Sequence, residues 1–227
     1  MIAVVAVFSW AHDALRPGLT AATEHAQLLQ SVERALDLDV EVSANRWLVE
    51  RPPLARAAVL LYRFYAVPVL GVLLWVLLRH GGIYRQVRTT AIVMAVLALV
   101  VFWAYPVSPP RFALPGIVDV VADDALLGGP ASRDLSGGRN LFSAFPSLHV
   151  GWSALAAWAA WSALTGAHRR LGLLPWLFPT AMVAVVIGTG NHYVLDVVGS
   201  AVLLAVSIGV AALLRAARSG RERLRVR

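Results

Sequence analysis

Two ionisable residues stand four apart in an otherwise mostly apolar stretch, Gly190-Asn191-His192-Tyr193-Val194-Leu195-Asp196. Residues at that spacing share a helix face, so His192 and Asp196 can meet, the carboxylate accepting from one ring nitrogen while the other is left to react. Two further stretches carry complementary groups. In Phe145-Pro146-Ser147-Leu148-His149 the proline suits the first turn of a helix, so Ser147, Leu148 and His149 occupy a terminus whose unpaired N–H groups favour an anion. Tyr105-Pro106-Val107-Ser108-Pro109-Pro110-Arg111 ends in a guanidinium, which grips phosphate oxygens with two parallel bonds. An anion site beside a His–Asp pair suggests phosphoryl transfer, one His acting as nucleophile and the other as general acid.

What must position these groups is read from composition. The 227-residue chain is 59% hydrophobic and 15% charged, with mean hydropathy +0.69, more apolar surface than a soluble domain of this size buries. The expectation is an all-α, polytopic integral membrane protein. A first span is read over residues 1–16 and an amphipathic interfacial helix over 20–38, its apolar stripe formed by Leu28, Leu29, Val32, Ala35 and Leu36. Five stronger apolar runs follow at 54–78, 89–107, 146–165, 171–189 and 192–214, each near the roughly 20 residues that cross about 30 Å of hydrocarbon. The expected organisation is one membrane domain over 1–227. Residues 1–50 form its first span and interfacial helix, 51–214 a catalytic bundle, and 215–227 a basic tail.

Charge orients this six-helix bundle. All 20 basic residues are Arg, a composition that hints at a bacterial source. The turns holding Arg79, Arg85, Arg88, Arg169 and Arg170, together with the tail, carry eleven Arg against one acid, Glu222, whereas the opposite side holds nine Arg and twelve acids. Basic short loops stay in the cytoplasm. The C-terminus is therefore expected inside, and the Pro- and Gly-rich loop 108–145 and the starts of the fourth and sixth spans at the outer face of the cell membrane. The three chemistry-bearing stretches meet there. The net charge of +7 is accounted for by topology and lipid headgroups, and no nucleic acid is expected as a partner.

These residues resemble the type 2 phosphatidic acid phosphatase superfamily. Its second signature, Pro-Ser-Gly-His, is matched by Pro146-Ser147-Leu148-His149, and the His-x-x-x-Asp of its third by His192 and Asp196. Asn191-His192-Tyr193-x-x-Asp196 with Tyr105-Pro106-x-x-Pro109-Pro110-Arg111 is most similar to the inositol phosphorylceramide synthase branch. Two cationic positions differ: Ala104 stands where the family has Lys, with Phe112 for the Pro that follows the Arg, and Val186 where it has Arg. Arg139 and Arg63 are the candidates to replace them.

The resemblance implies a lipid-phosphate phosphatase or phosphotransferase. His192 would form a phosphohistidine with Asp196 holding its tautomer, and His149 would protonate the departing alcohol. Arg111, the Ser147 hydroxyl and the N–H groups near Leu148 would hold the phosphoryl oxygens. Tyr105, Asn140 and Asn191 are further candidates for the site. Lipid phosphates or phospholipid headgroups are the expected partners, with an alcohol or polyol as possible acceptor. No cofactor is required, and the sequence offers no metal cage: Asp119, Asp123, Asp124 and Asp134 lack ligand spacing and read as solvated loop residues. His12, His25, His80 and His168 fall in terminal or turn regions and are read as non-catalytic. The alternative is a non-catalytic anionic-lipid binder or transporter on the same bundle.

Overall fold

The computed structural model describes residues 2–15, 18–124, 140–165 and 171–225, with side chains from residue 6 to residue 219 of these. Among them the chain is helical, apart from one isolated bridge between Val107 and Ser143. In order the helices are α1 (Ile2–Ala14), α2 (Leu19–Ala35), α3 (Glu41–Val49), α4 (Pro52–Phe64), α5 (Ala66–Arg79), α6 (Gly81–Ala104), the single turns α7 (Pro110–Ala113) and α8 (Val120–Asp123), then α9 (Leu148–Leu164), α10 (Leu177–Gly188) and α11 (Val194–Arg225).

The large apolar side chains point outward in rows. Val67, Leu70, Leu74 and Leu78 are exposed on α5, Val96, Val100 and Trp103 on α6, and Val198, Val202, Val206 and Leu213 on α11. Such rows, spaced three, four or seven residues apart, make a continuous apolar outer face, stable only in hydrocarbon. This is a membrane protein. Inside, Leu73, Met94, Phe102, Leu155 and Leu203 pack with small residues. Ala156, Ala159, Ala160 and Ala163 are buried on α9, which lets it lie against α5, α6, α10 and α11 at once.

Among the described residues two helical stretches, Gly81–Ala104 and Val194–Ser219, are long and apolar enough to cross a membrane, and a third crossing is available if α4 and α5, bent by 45°, count as one. Six spans were expected. The apolar runs fall where the sequence placed them, but α9 has 17 residues and α10 has 12, and α1, with 13 residues, is about 20 Å long, short of the hydrocarbon thickness. The α4–α5 break has a local cause: Pro68 has no N–H to offer the Phe64 carbonyl.

Helix α2 shows most of the expected stripe on its outer side, with Leu29 turned inward. Leu28, Val32 and Leu36 are exposed, and the buried face is Ala22, Ala26, Leu29 and Glu33. A soluble protein turns its bulky apolar face inward. Here that face is free to meet lipid, while small and polar residues pack against the bundle.

The end of the bundle that holds the site is built from irregular segments tied by backbone hydrogen bonds. Val107 N–H donates to Phe142 O at 2.8 Å, Arg111 N–H to Gly190 O at 2.9 Å, and Ser147 N–H to Asp196 O at 3.2 Å. Fully buried Asn45 of α3 serves as a clamp, its Nδ2 donating to Val118 O and Gly188 O, both at 2.9 Å, and its Oδ1 accepting from Val118 N–H. Every such bond satisfies backbone that a bilayer would otherwise leave unpaired.

Candidate active site

His192 lies in the short turn between α10 and α11, with Asp196 in the first turn of α11. Its Nδ1 is 2.9 Å from Ala144 O and 3.1 Å from Asp196 Oδ2. A carbonyl oxygen can only accept, so Nδ1 carries the proton and the lone pair of the neutral ring resides on Nε2. Asp196 is held in turn: Oδ2 also accepts from Tyr193 N–H at 2.8 Å, and the residue is fully buried. The pair anticipated from the i, i+4 spacing is present, with Ala144 as a third participant.

His149 enters from the first turn of α9, its ring centroid 6.0 Å from that of His192. Tyr62 stacks on it at 4.2 Å with 21° between planes, and Tyr65 tilts against it at 4.3 Å. Helix α9 begins at Leu148, two residues after Pro146, with Ser147 as its N-cap.

Arg111, in α7, reaches the same place. Its Nη1 donates to Asn191 Oδ1, and its Nε lies 3.4 Å from Asp119 Oδ2. Asn191 is gripped from behind, its Nδ2 donating to Thr189 Oγ1 at 2.8 Å, and its Oδ1 also accepts from Tyr62 OH at 3.3 Å. Asp119 corrects an expectation. It is 4% exposed, accepts from Ala122 N–H as the N-cap of α8, and pairs with Arg111, because the loop folds down on the bundle instead of standing in water.

These side chains open on one cavity of about 540 Å³. Arg111, His149, His192, Asn191, Asn140 and Arg63 line it, together with Leu148. Arg63 donates to Val121 O at 3.1 Å from the last turn of α4. Ser147 and Tyr105 are not on its wall: Ser147 is fully buried behind α9, and Tyr105 stacks on His25 at 3.9 Å. Arg139 lies outside the described residues, as do Asp134 and His168. Ala104 is exposed at the end of α6, and Val186 is fully buried, so neither altered cationic position faces the cavity.

Several polar cavity residues escaped the sequence reading. Tyr62 and Asp119 line the wall, and so do Asp13 and His12 of α1. His12, set aside as a terminal residue, is hydrogen-bonded through Nε2 to Ser143 Oγ at 2.9 Å. Among the described residues no group of three or more His, Asp or Glu side chains is placed to hold a metal ion.

The profile described as the PAP2 superfamily matches residues 27–210. The chain belongs to the PAP2 superfamily. Membership points to phosphatase or phosphotransferase activity on lipid phosphates, and hence to an enzyme. No curated protein and no solved structure matches the chain. The PAP2 match takes in Arg111, His149, His192 and Asp196 and leaves out α1, so the His12 side of the cavity stands beyond the shared region.

Proposed function

We propose that the protein is a lipid-phosphate phosphatase or phosphotransferase that works through a phosphohistidine on His192, in the manner of the inositol phosphorylceramide synthase branch. The observation that carries this reading is the tautomer of His192: with Nδ1 committed to Ala144 O and Asp196, the lone pair on Nε2 belongs to a group that faces the cavity shared with His149 and Arg111.

In the first half-reaction Nε2 attacks phosphorus. The P–O bond to the alcohol breaks, and the proton for the departing oxygen comes from His149, which enters the cycle as imidazolium. Imidazolium on His192 is stabilised by Asp196. In the second half-reaction water or an acceptor hydroxyl gives its proton back to His149 and attacks phosphorus, the P–N bond breaks, and both rings return to their starting state. Arg111 and Arg63, with the N–H groups at the start of α9, carry the charge on the phosphoryl oxygens.

The six-helix reading belongs here as well: α1, the bent α4–α5 pair, α6, α9, α10 and α11 would each cross once. The Arg distribution supports a cytoplasmic C-terminus and a site on the outer side of a bacterial cytoplasmic membrane. A reporter placed after Arg227 should then read as cytoplasmic, and one inserted within 125–139 as external.

The test is phosphate release or headgroup exchange by purified protein on phosphatidic acid, a polyprenyl phosphate and phosphatidylinositol, with and without a polyol acceptor. The expected result is turnover that depends on His192, together with an acid-labile phosphoprotein in rapidly quenched samples. A His192→Ala variant as active as the parent would end the mechanism. Binding of anionic lipid with no turnover on any of these substrates would favour a non-catalytic binder or transporter.

A further inference from the structure

Helix α11 starts immediately after His192 and Tyr193, and its first N–H groups are met by acids from distant parts of the chain. Val194 N–H donates to Glu41 Oε1 at 3.0 Å and Leu195 N–H to Glu33 Oε1 at 2.7 Å. Glu33 belongs to α2 and Glu41 to α3, and they are 0% and 2% exposed. One turn further along α2, Gln30 Nε2 donates to Tyr193 OH at 3.2 Å. The three residues between His192 and Asp196 are thus each held by a side chain from the N-terminal helices.

The two acids are neighbours, and the charge of Glu41 disfavours charge on Glu33. The charged and titratable groups around them are Asp196 and Tyr193 at the start of α11 and Asp39 beside Glu41. Among the described residues neither acid has an Arg or His ion-pair partner. A cap alone needs one ionised carboxylate, since the N-terminus of a helix favours negative charge. Two neighbouring buried acids without a cationic partner make a cap whose charge changes with pH.

We propose that Glu33 and Glu41 are positioning residues for phosphoryl transfer, a buried carboxyl pair that fixes the first turn of α11 and through it the His192–Asp196 geometry. This rests on His192 being the nucleophile, as argued above. Arg111, His149, His192 and Asp196 all lie between α7 and α11, and α2 and α3 supply the clamp.

Burial, followed by the nearby Glu41 and Asp196 charges, pushes Glu33 up to about 8 from 4.5, against the Leu195 N–H bond, which lowers it. Burial raises Glu41 as well. The sign follows. A carboxyl raised in the folded state contributes its stabilisation fully below the ordinary carboxylate range, and that contribution is lost as pH rises through about 8. Above that, two carboxylates and Asp196 repel one another at the end of α11, and turnover falls.

The experiment measures phosphate release from phosphatidic acid in detergent micelles, from pH 5 to 10, by the full-length parent, Glu33→Gln, Glu41→Gln, Glu33→Ala and His192→Ala. In the parent kcat should fall several-fold as pH rises past about 8. Glu33→Gln, which still accepts from Leu195 N–H and cannot ionise, should lack that fall. Glu33→Ala should lose roughly tenfold in kcat at neutral pH with KM within twofold, and the Gln variant should recover most of it. If both Gln variants keep the parent's alkaline limb, or if Glu33→Ala lowers only the melting temperature and leaves kcat at the parent value, the pair is a structural cap and the proposal fails. A parent that turns over no better than His192→Ala overturns the catalytic reading itself, a separate outcome.

Discussion

Tyr62 lies face to face with His149, ring centroids 4.2 Å apart, and its hydroxyl donates to Asn191 Oδ1 at 3.3 Å. One side chain from α4 therefore touches the proposed proton donor with its ring and the Arg111 anchor with its oxygen. Stacked aromatic pairs are worth about 0.5–1.5 kcal/mol beyond burial, which corresponds to roughly 2- to 10-fold in rate if lost at the transition state. Tyr62→Phe keeps the ring and should cost about threefold in kcat/KM. Tyr62→Ala frees the His149 ring and should cost on the order of 30-fold. Steady-state kinetics on phosphatidic acid compares the two, and equal losses would refute the stacking role.

Asp196 fixes the tautomer of His192 only jointly with Ala144 O. Asp196→Asn removes the charge that stabilises imidazolium and allows the amide N–H to face Nδ1, which favours the wrong tautomer. A loss of about 10²–10⁴ in kcat is expected, by analogy with the carboxylate of His-containing triads. The phosphoenzyme should form more slowly in rapid-quench experiments, while lipid binding stays within a few-fold of the parent.

Asn191 holds Arg111 and is itself held by Thr189. In Asn191→Ala the guanidinium loses that anchor and keeps its neighbour Asp119, which draws it away from the incoming phosphate. The expected effect is a rise in KM of roughly tenfold, with a smaller change in kcat. Thr189→Val should reproduce it in weaker form, since it removes only the bond behind Asn191. An unchanged KM in both would separate Asn191 from phosphate binding.

The pairing of His192 with Asp196 was legible because a four-residue spacing is local information, and the meeting of Arg111, His149 and His192 because charge asymmetry folds the topology. Tyr62, His12 and Glu33 were not legible. Their partners lie 129, 131 and 162 residues away, and no local period marks such contacts. Glu33 falls between the apolar residues of α2 and carries no motif of its own. In the membrane setting the inward face is the polar one, and the bulky residues Leu28, Val32 and Leu36 stand outside it. Hydropathy found each apolar run, but it counts residues, whereas crossing requires helical length, and α10 stops at Gly188, short of a full span.

Gly190 supports the site through its backbone alone. Its φ is +72°, a left-handed conformation, and its carbonyl accepts from Arg111 N–H at 2.9 Å. A Cβ built there would lie 2.5 Å from Ile117 Cγ2, in the loop that carries Asp119. Gly190→Ala therefore meets strain and a clash at once, with an expected cost of about 2–4 kcal/mol and a correspondingly lower melting temperature in detergent. Activity should fall further than stability does, because the shift falls on the turn between the Arg111 backbone and His192. Ile117→Ala in the same chain removes the clash but leaves the φ, so it should recover part of the melting temperature of Gly190→Ala. Differential scanning fluorimetry of the parent, the two single variants and the double variant measures that recovery. No recovery would assign the whole cost to the backbone conformation.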